Sequence, residues 1–146
     1  MSDHVPPRTS FPHGLVAWMR MARIVARNHR AAAERLRAHD LSHAQFDVLA
    51  QLGSARGITQ QDLAERLLVT QGNLSQLLSG LERKGLVERR REGRCKHLFL
   101  TEAGRALYAE VVPAHEAWQE ARMAMLTEPE RRELMRLLGK LDRATR

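Results

Sequence analysis

At Gly85 the apolar periodicity of the chain switches from helical to extended, and this switch restricts the fold more than any other feature. Before it, Leu74, Leu77, Leu78 and Leu81 recur at the i, i+3, i+4, i+7 spacing of one helix face, with Thr70 placed to cap the first turn. After it, Leu86–Arg91 and Lys96–Leu100 read as two extended runs around the turn Glu92-Gly93-Arg94-Cys95, where glycine is available for positive φ. Upstream, Ser42-x-x-Gln45 is a capping box that opens a helix carrying Phe46, Val48, Leu49 and Leu52, with Gly53 as its predicted stop. Thr59-x-x-Asp62 opens a short helix with Leu63, Ala64 and Leu67 inward, separated from the next only by Leu68-Val69.

Longer helices flank this unit. Leu15, Trp18, Met21, Val25, Ala32 and Leu36 recur near the helical period from Gly14 to about His39. Thr101 caps a helix carrying Leu107, Val111 and Trp118, with a bend expected at Pro113. Thr127-x-x-Glu130, with Pro129 in the first turn, caps a last helix that presents Leu134, Leu137, Leu138 and Leu141. Residues 1–10, with Pro6 and Pro7 and no periodic pattern, are expected to form a flexible arm. The predicted fold is mainly α with a small β-hairpin wing: a winged helix-turn-helix lobe over residues 41–101, between long helical regions at 11–40 and 102–146.

The formal net charge of +7 is organised in two blocks. Arg8–Arg37 carries seven arginines against Glu34, and Arg83–Lys96 carries seven cations against Glu88 and Glu92. The rest of the chain is net acidic. From Leu67 to Leu81 there is no charged residue at all. The helix after Thr70 therefore joins an apolar inner face to small uncharged groups, Thr70, Gln71, Asn73, Ser75 and Gln76, along its leading edge. Such groups can approach base edges in a major groove, and Gln or Asn can bond an adenine edge bidentately. The hairpin that follows supplies Arg89, Arg90, Arg91, Arg94 and Lys96 for phosphates or a minor groove. A polar helix face or a charge run alone is usually just solvated. An uncharged reading helix beside a cationic hairpin divides base reading from phosphate positioning, and double-stranded DNA is the predicted partner.

The motif Glu92-x-Arg94-x5-Leu100-Thr101-x2-Gly104 resembles the wing signature of the MarR family of bacterial transcriptional regulators. Gln61-Asp62-Leu63-Ala64-Glu65-Arg66-Leu67 and Leu81-Glu82-Arg83-Lys84-Gly85-Leu86-Val87 resemble it too, and the likeness spans about residues 15–145. Glu92 stands where the family usually has aspartate, Gln76 and Gly80 where arginines are frequent, and the wing is shorter than the common pattern. The resemblance implies a homodimer with interlocked terminal helices, each subunit placing its winged helix-turn-helix on one half of a pseudo-palindromic operator. It implies a regulator, expected to repress, with base reading at Gln71, Asn73, Ser75 and Gln76 and a wing contact at Arg94. It also implies release by a small aromatic or anionic effector, for which Trp18, Met21, Arg23, His29 and Trp118 are the candidate residues, although stripes of this kind are more often dimer core.

Other readings carry less. One cysteine, Cys95, excludes an intramolecular disulfide, and its place between Arg94 and Lys96 suits a passive wing thiol better than a redox sensor. His39 and His43 are four apart, but Ser42 starts a new helix between them, so surface or capping roles are expected and no metal or cofactor site. There is no phosphate-cradling glycine loop or nucleophile–base pairing, so no enzyme is predicted. No stretch approaches the roughly 18 apolar residues of a membrane span, and residues 1–9 lack the apolar core of a signal peptide, so no membrane association is predicted and the cytoplasm is the expected location. The alternative from another class is a basic helical module that binds acidic protein or RNA.

Overall fold

A computed structural model describes residues 10–146, and the predicted arm lies almost wholly outside the described residues. The elements are α1 (His13–Leu36), a single 3-10 turn at Arg37–His39, α2 (His43–Ser54), α3 (Gln60–Leu67), α4 (Gln71–Arg83), β1 (Val87–Glu92), β2 (Cys95–Leu100), α5 (Glu102–Arg122) and α6 (Glu128–Ala144).

Local chemistry starts the helices where the sequence places them. Ser42 and Thr127 form complete capping boxes with Gln45 and Glu130. The hydroxyls of Thr59, Thr70 and Thr101 accept the backbone N–H groups of Asp62, Asn73 and Gly104. Each bond satisfies a donor that the first helical turn leaves without a partner. Gly85, at φ +72°, ends α4, and Leu68 closes α3 at φ +54°, a left-handed conformation that costs a side chain energy.

Two local expectations are corrected. Gly53 does not stop α2, which continues through Ser54; a Cβ at Gly53 would lie 2.1 Å from the Tyr108 ring, so glycine serves the approach of α5. The wing turn is Glu92-Gly93-Arg94-Cys95 with Gly93, at φ +63°, and Arg94 at its centre, but each strand reaches one residue further than expected, because Glu92 pairs with Cys95 in the antiparallel ladder. Helix α5 runs without interruption from Glu102 to Arg122 with Pro113 inside it.

The core joins α2, α3, α4 and the wing base, with Leu49, Leu63, Leu74, Leu78, Leu81 and Leu98 fully buried. Leu36 of α1 and Val111 and Val112 of α5 belong to the same core. Away from it the long helices have no cover. Among the described residues α6 buries none, while Trp18, Ile24, Val25, Met135 and Leu138 stand exposed along α1 and α6.

Candidate nucleic-acid interface

The N-terminal half of α4 and the wing meet over a shared surface. Gln71, Asn73 and Gln76 are exposed on α4, whereas Leu74, Leu78 and Leu81 anchor its other side in the core. The hydroxyl of Thr70 is engaged in capping, accepting the Asn73 N–H at 3.1 Å. Gln71 lines one cleft with Arg94, Lys96, Gln60 and Gln61, so the wing tip and the starts of α3 and α4 border the same space.

Strand register divides the wing cations into three groups. Side chains alternate across a strand, so Arg89 and Arg91 face one side of the wing and Arg90 the other. Arg89 points to α4: its guanidinium donates to Ser75 Oγ at 3.2 Å and Ser79 Oγ at 3.0 Å, and it pairs with Glu82. It therefore sets the spacing between wing and helix, and it occupies the hydroxyl of Ser75. Arg90 lies over the Phe99 ring at 4.3 Å and pairs with Glu88 at 2.8 Å. The Arg90 hydrogen bond and charge hold the Glu88 carboxyl below its ordinary range. Arg91, Arg94 and Lys96 are exposed and make no ion pair among the described residues. Arg91 and Lys96 are cross-strand neighbours and share a cleft with Ser75 and Arg89, about 380 Å³ in volume.

The wing is tied to the body at its base. The His97 ring nitrogen Nδ1 lies 2.8 Å from the Gly57 carbonyl, the Leu98 N–H donates to Ile58 O, and Thr59 bridges to His97. Thr101 Oγ1 donates to Gly85 O at 2.6 Å while accepting from the Gly104 N–H at 3.0 Å. At the far end of α4, Lys84 donates to Gln45 Oε1 at 2.9 Å and pairs with Asp40. Apart from the Thr101 cap, none of these ties is legible in the sequence. A single-residue bridge has no periodic pattern, and Thr59 already had a reading as a cap.

The effector candidates fall in two places. His29 stacks on His43, and Trp118 lies against His115, which itself packs on Phe46. Arg35 and Arg122 lie over the Trp118 ring at 5.1 and 4.9 Å. Trp18 is exposed, Met21 half-buried and Arg23 exposed. Trp18 is eleven residues before His29 on one straight-through helix, or about 16 Å along its axis. Within one protomer, therefore, the five residues do not line a single cleft. Cys95 is exposed at the wing, and among the described residues no group of His, Cys, Asp and Glu is arranged to hold a metal ion. No described helix is long and apolar enough to cross a membrane.

His115 carries a testable consequence. Burial first, then the nearby His43 and Arg35, holds its imidazole below the ordinary value of 6.5, against the weaker pull of Asp47 and Glu116. Its Nδ1 is buried without a partner. As pH falls through 6.5 the unfolded chain takes up this proton first, so folding stability should drop on acidification. Urea unfolding at pH 7.5 and 5.5 should show a smaller drop for His115→Phe than for the parent chain. Equal drops would remove His115 from the account.

Comparison with known proteins agrees with this geometry. The sequence profile of the MarR family matches residues 39–94. An uncharacterized HTH-type transcriptional regulator of Bacillus cereus is 34% identical over 131 residues, 89% of each chain. The crystal structure of the Staphylococcus aureus MepR–DNA complex is similar with a TM-score of 0.82 and 25% identity, covering 94% of this chain and 100% of that one. A MarR-family transcriptional regulator from Silicibacter pomeroyi is 31% identical with a TM-score of 0.77, covering 89% and 90%. A capped uncharged helix, a basic wing pinned beside it, and relatives matched over nearly their whole length lead to one conclusion: the chain belongs to the MarR family of DNA-binding transcriptional regulators.

Proposed function

We propose that the chain acts as a homodimeric repressor that reads a pseudo-palindromic operator with Gln71, Asn73 and Gln76 and grips the backbone with Arg91, Arg94 and Lys96. The observation that carries this reading is the shared cleft of Gln71, Arg94 and Lys96, which puts an amide suited to a base edge beside cations suited to phosphate. Thr70 and Ser75 support the reading helix through capping and through Arg89. Arg89 acts as a spacer, and Arg90 stands on the other face of the wing.

The dimer follows from the uncovered apolar faces of α1 and α6. A monomer with Trp18, Val25, Leu137, Leu138 and Leu141 in water would carry an aggregation-prone patch, and a symmetric partner covers it. An isologous dimer then presents two α4 helices to half-sites about one DNA turn apart. Release by a small effector is part of the same reading. His29 and Trp118, at the junction of α1, α2 and α5, are the candidates best placed to report it to the DNA-binding lobe.

The test is binding to the intergenic DNA beside the coding gene against random duplex at matched salt. The intergenic DNA should bind at least 100-fold tighter. Gln71→Ala or Asn73→Ala should cost about 1–3 kcal/mol on that site and little on random duplex. Equal affinity for both DNAs would sink sequence-specific regulation.

A further inference from the structure

On the side of the wing away from α4, three arginines from separate elements line one cleft of about 360 Å³. Arg56 comes from the connection between α2 and α3, Arg90 from β1 and Arg105 from the first turn of α5. Phe99 and Leu52 supply an apolar wall. Among the described residues no carboxylate lines the cleft. Glu88, on the strand face of Arg90, neutralises that one arginine, while Arg105 donates to the Leu100 carbonyl at 3.1 Å and Arg56 makes no ion pair among the described residues.

Three guanidiniums around one concavity repel each other unless a counter-charge sits among them. Their planar forks suit phosphate and carboxylate oxygens better than a single-charged halide. The volume falls in the range of small-ligand clefts, and the lining mixes an aromatic wall with converging charge, as such clefts do. A DNA backbone is better met by protruding cations such as Arg94 at the turn. Arg56, Arg90 and Arg105 are exposed as well, but they border one concavity from three separate elements, an arrangement that suits a compact ligand.

We propose that this cleft binds a small multivalent anion carrying phosphate or clustered carboxylates. The ligand bridges Arg90 on the wing to Arg56 and Arg105 on the helical body. Its charge competes with Glu88 for Arg90, so occupancy fixes the wing relative to the body from behind. The wing also carries the proposed DNA-gripping cations. If the DNA reading above holds, occupancy therefore changes DNA affinity, and DNA changes anion affinity by the same factor.

Pyrophosphate and citrate, titrated calorimetrically into the full chain at ionic strength balanced with potassium chloride, test the site directly. Saturable binding of either at one site per chain is expected, and which of the two binds tells phosphate from carboxylate chemistry. Arg56→Ala and Arg105→Ala should each weaken it about tenfold or more. Arg132→Ala, which removes one charge from α6, should leave it unchanged. Among the described residues Arg56 makes no side-chain hydrogen bond or ion pair, so its variant keeps the test valid if Arg105→Ala unfolds. Three results would overturn the proposal: no saturation, binding indifferent to Arg56, or an Arg56→Ala chain that binds anions normally and loses affinity only for random duplex. A chain that binds pyrophosphate but no DNA would instead sink the DNA reading and leave the anion site standing.

Discussion

Removing Arg91, Arg94 and Lys96 together should flatten the salt dependence of DNA binding and cost about a thousandfold in affinity at low salt, on operator and random duplex alike. The reason lies in what these three side chains lack. Among the described residues they are exposed and unpaired, whereas Arg89 is bonded to Glu82, Ser75 and Ser79 and Arg90 to Glu88. Only cations without an internal partner release counterions from the duplex at no loss elsewhere. A proposed dimer would offer six of them, and each phosphate contact contributes about 0.9 to the slope of log K against log salt. The parent should therefore lose about a thousandfold between 50 and 200 mM salt, with a slope near five that largely disappears in the triple alanine variant. Fluorescence anisotropy across a salt series measures both. An unchanged slope would move phosphate contact away from the wing.

Gly104→Ala should be the most damaging single methyl in the chain. A Cβ at that position would lie 2.0 Å from the Leu86 carbonyl oxygen and 3.0 Å from its carbon, both backbone atoms. That carbonyl accepts the Thr101 N–H, Thr101 Oγ1 donates to Gly85 O, and the same hydroxyl caps α5 through the Gly104 N–H. Relief of the overlap therefore means moving the start of α5 off the wing base and breaking several of these bonds together. A loss of about 3 kcal/mol or more is expected, read as a fall of roughly 10 °C in Tm. Gly53→Ala makes a useful contrast. Its overlap is with the Tyr108 ring, a half-buried side chain that can turn aside, so its cost should be smaller. Similar losses for both would mean that the wing base yields more easily than its bonding implies.

These two residues also show where sequence reasoning stops. Gly104 belongs to the motif that resembles the MarR wing signature, yet the reason for glycine there is the approach of a carbonyl eighteen residues earlier in the chain. Gly53, with no such motif around it, reads as a stop signal, because its partner Tyr108 lies on a helix that begins about a third of the chain later. The hairpin itself was legible, since period-2 alternation and a Gly93 turn are local. The last pair of its ladder was not, because the bonding of Glu92 to Cys95 is cross-strand chemistry.

The basic wing separates the two kinds of information most clearly. Composition and spacing alone determined that a capped helix with an uncharged leading edge is followed by a cationic hairpin, and hence the fold class and a DNA partner; the regulator came from the resemblance of the wing motif to the MarR signature. Caps, helix faces and strand alternation need only neighbours within a few residues, so they are written in the chain. Which arginine does what was decided in three dimensions. Arg89, Arg90 and Arg91 are adjacent and chemically identical, yet one ties the wing to α4, one turns to the cleft with Arg56 and Arg105, and one stays free. The strand pleat sends them to alternate faces, but only the packing of the wing against α4 on one side and α5 on the other gives each face its partner.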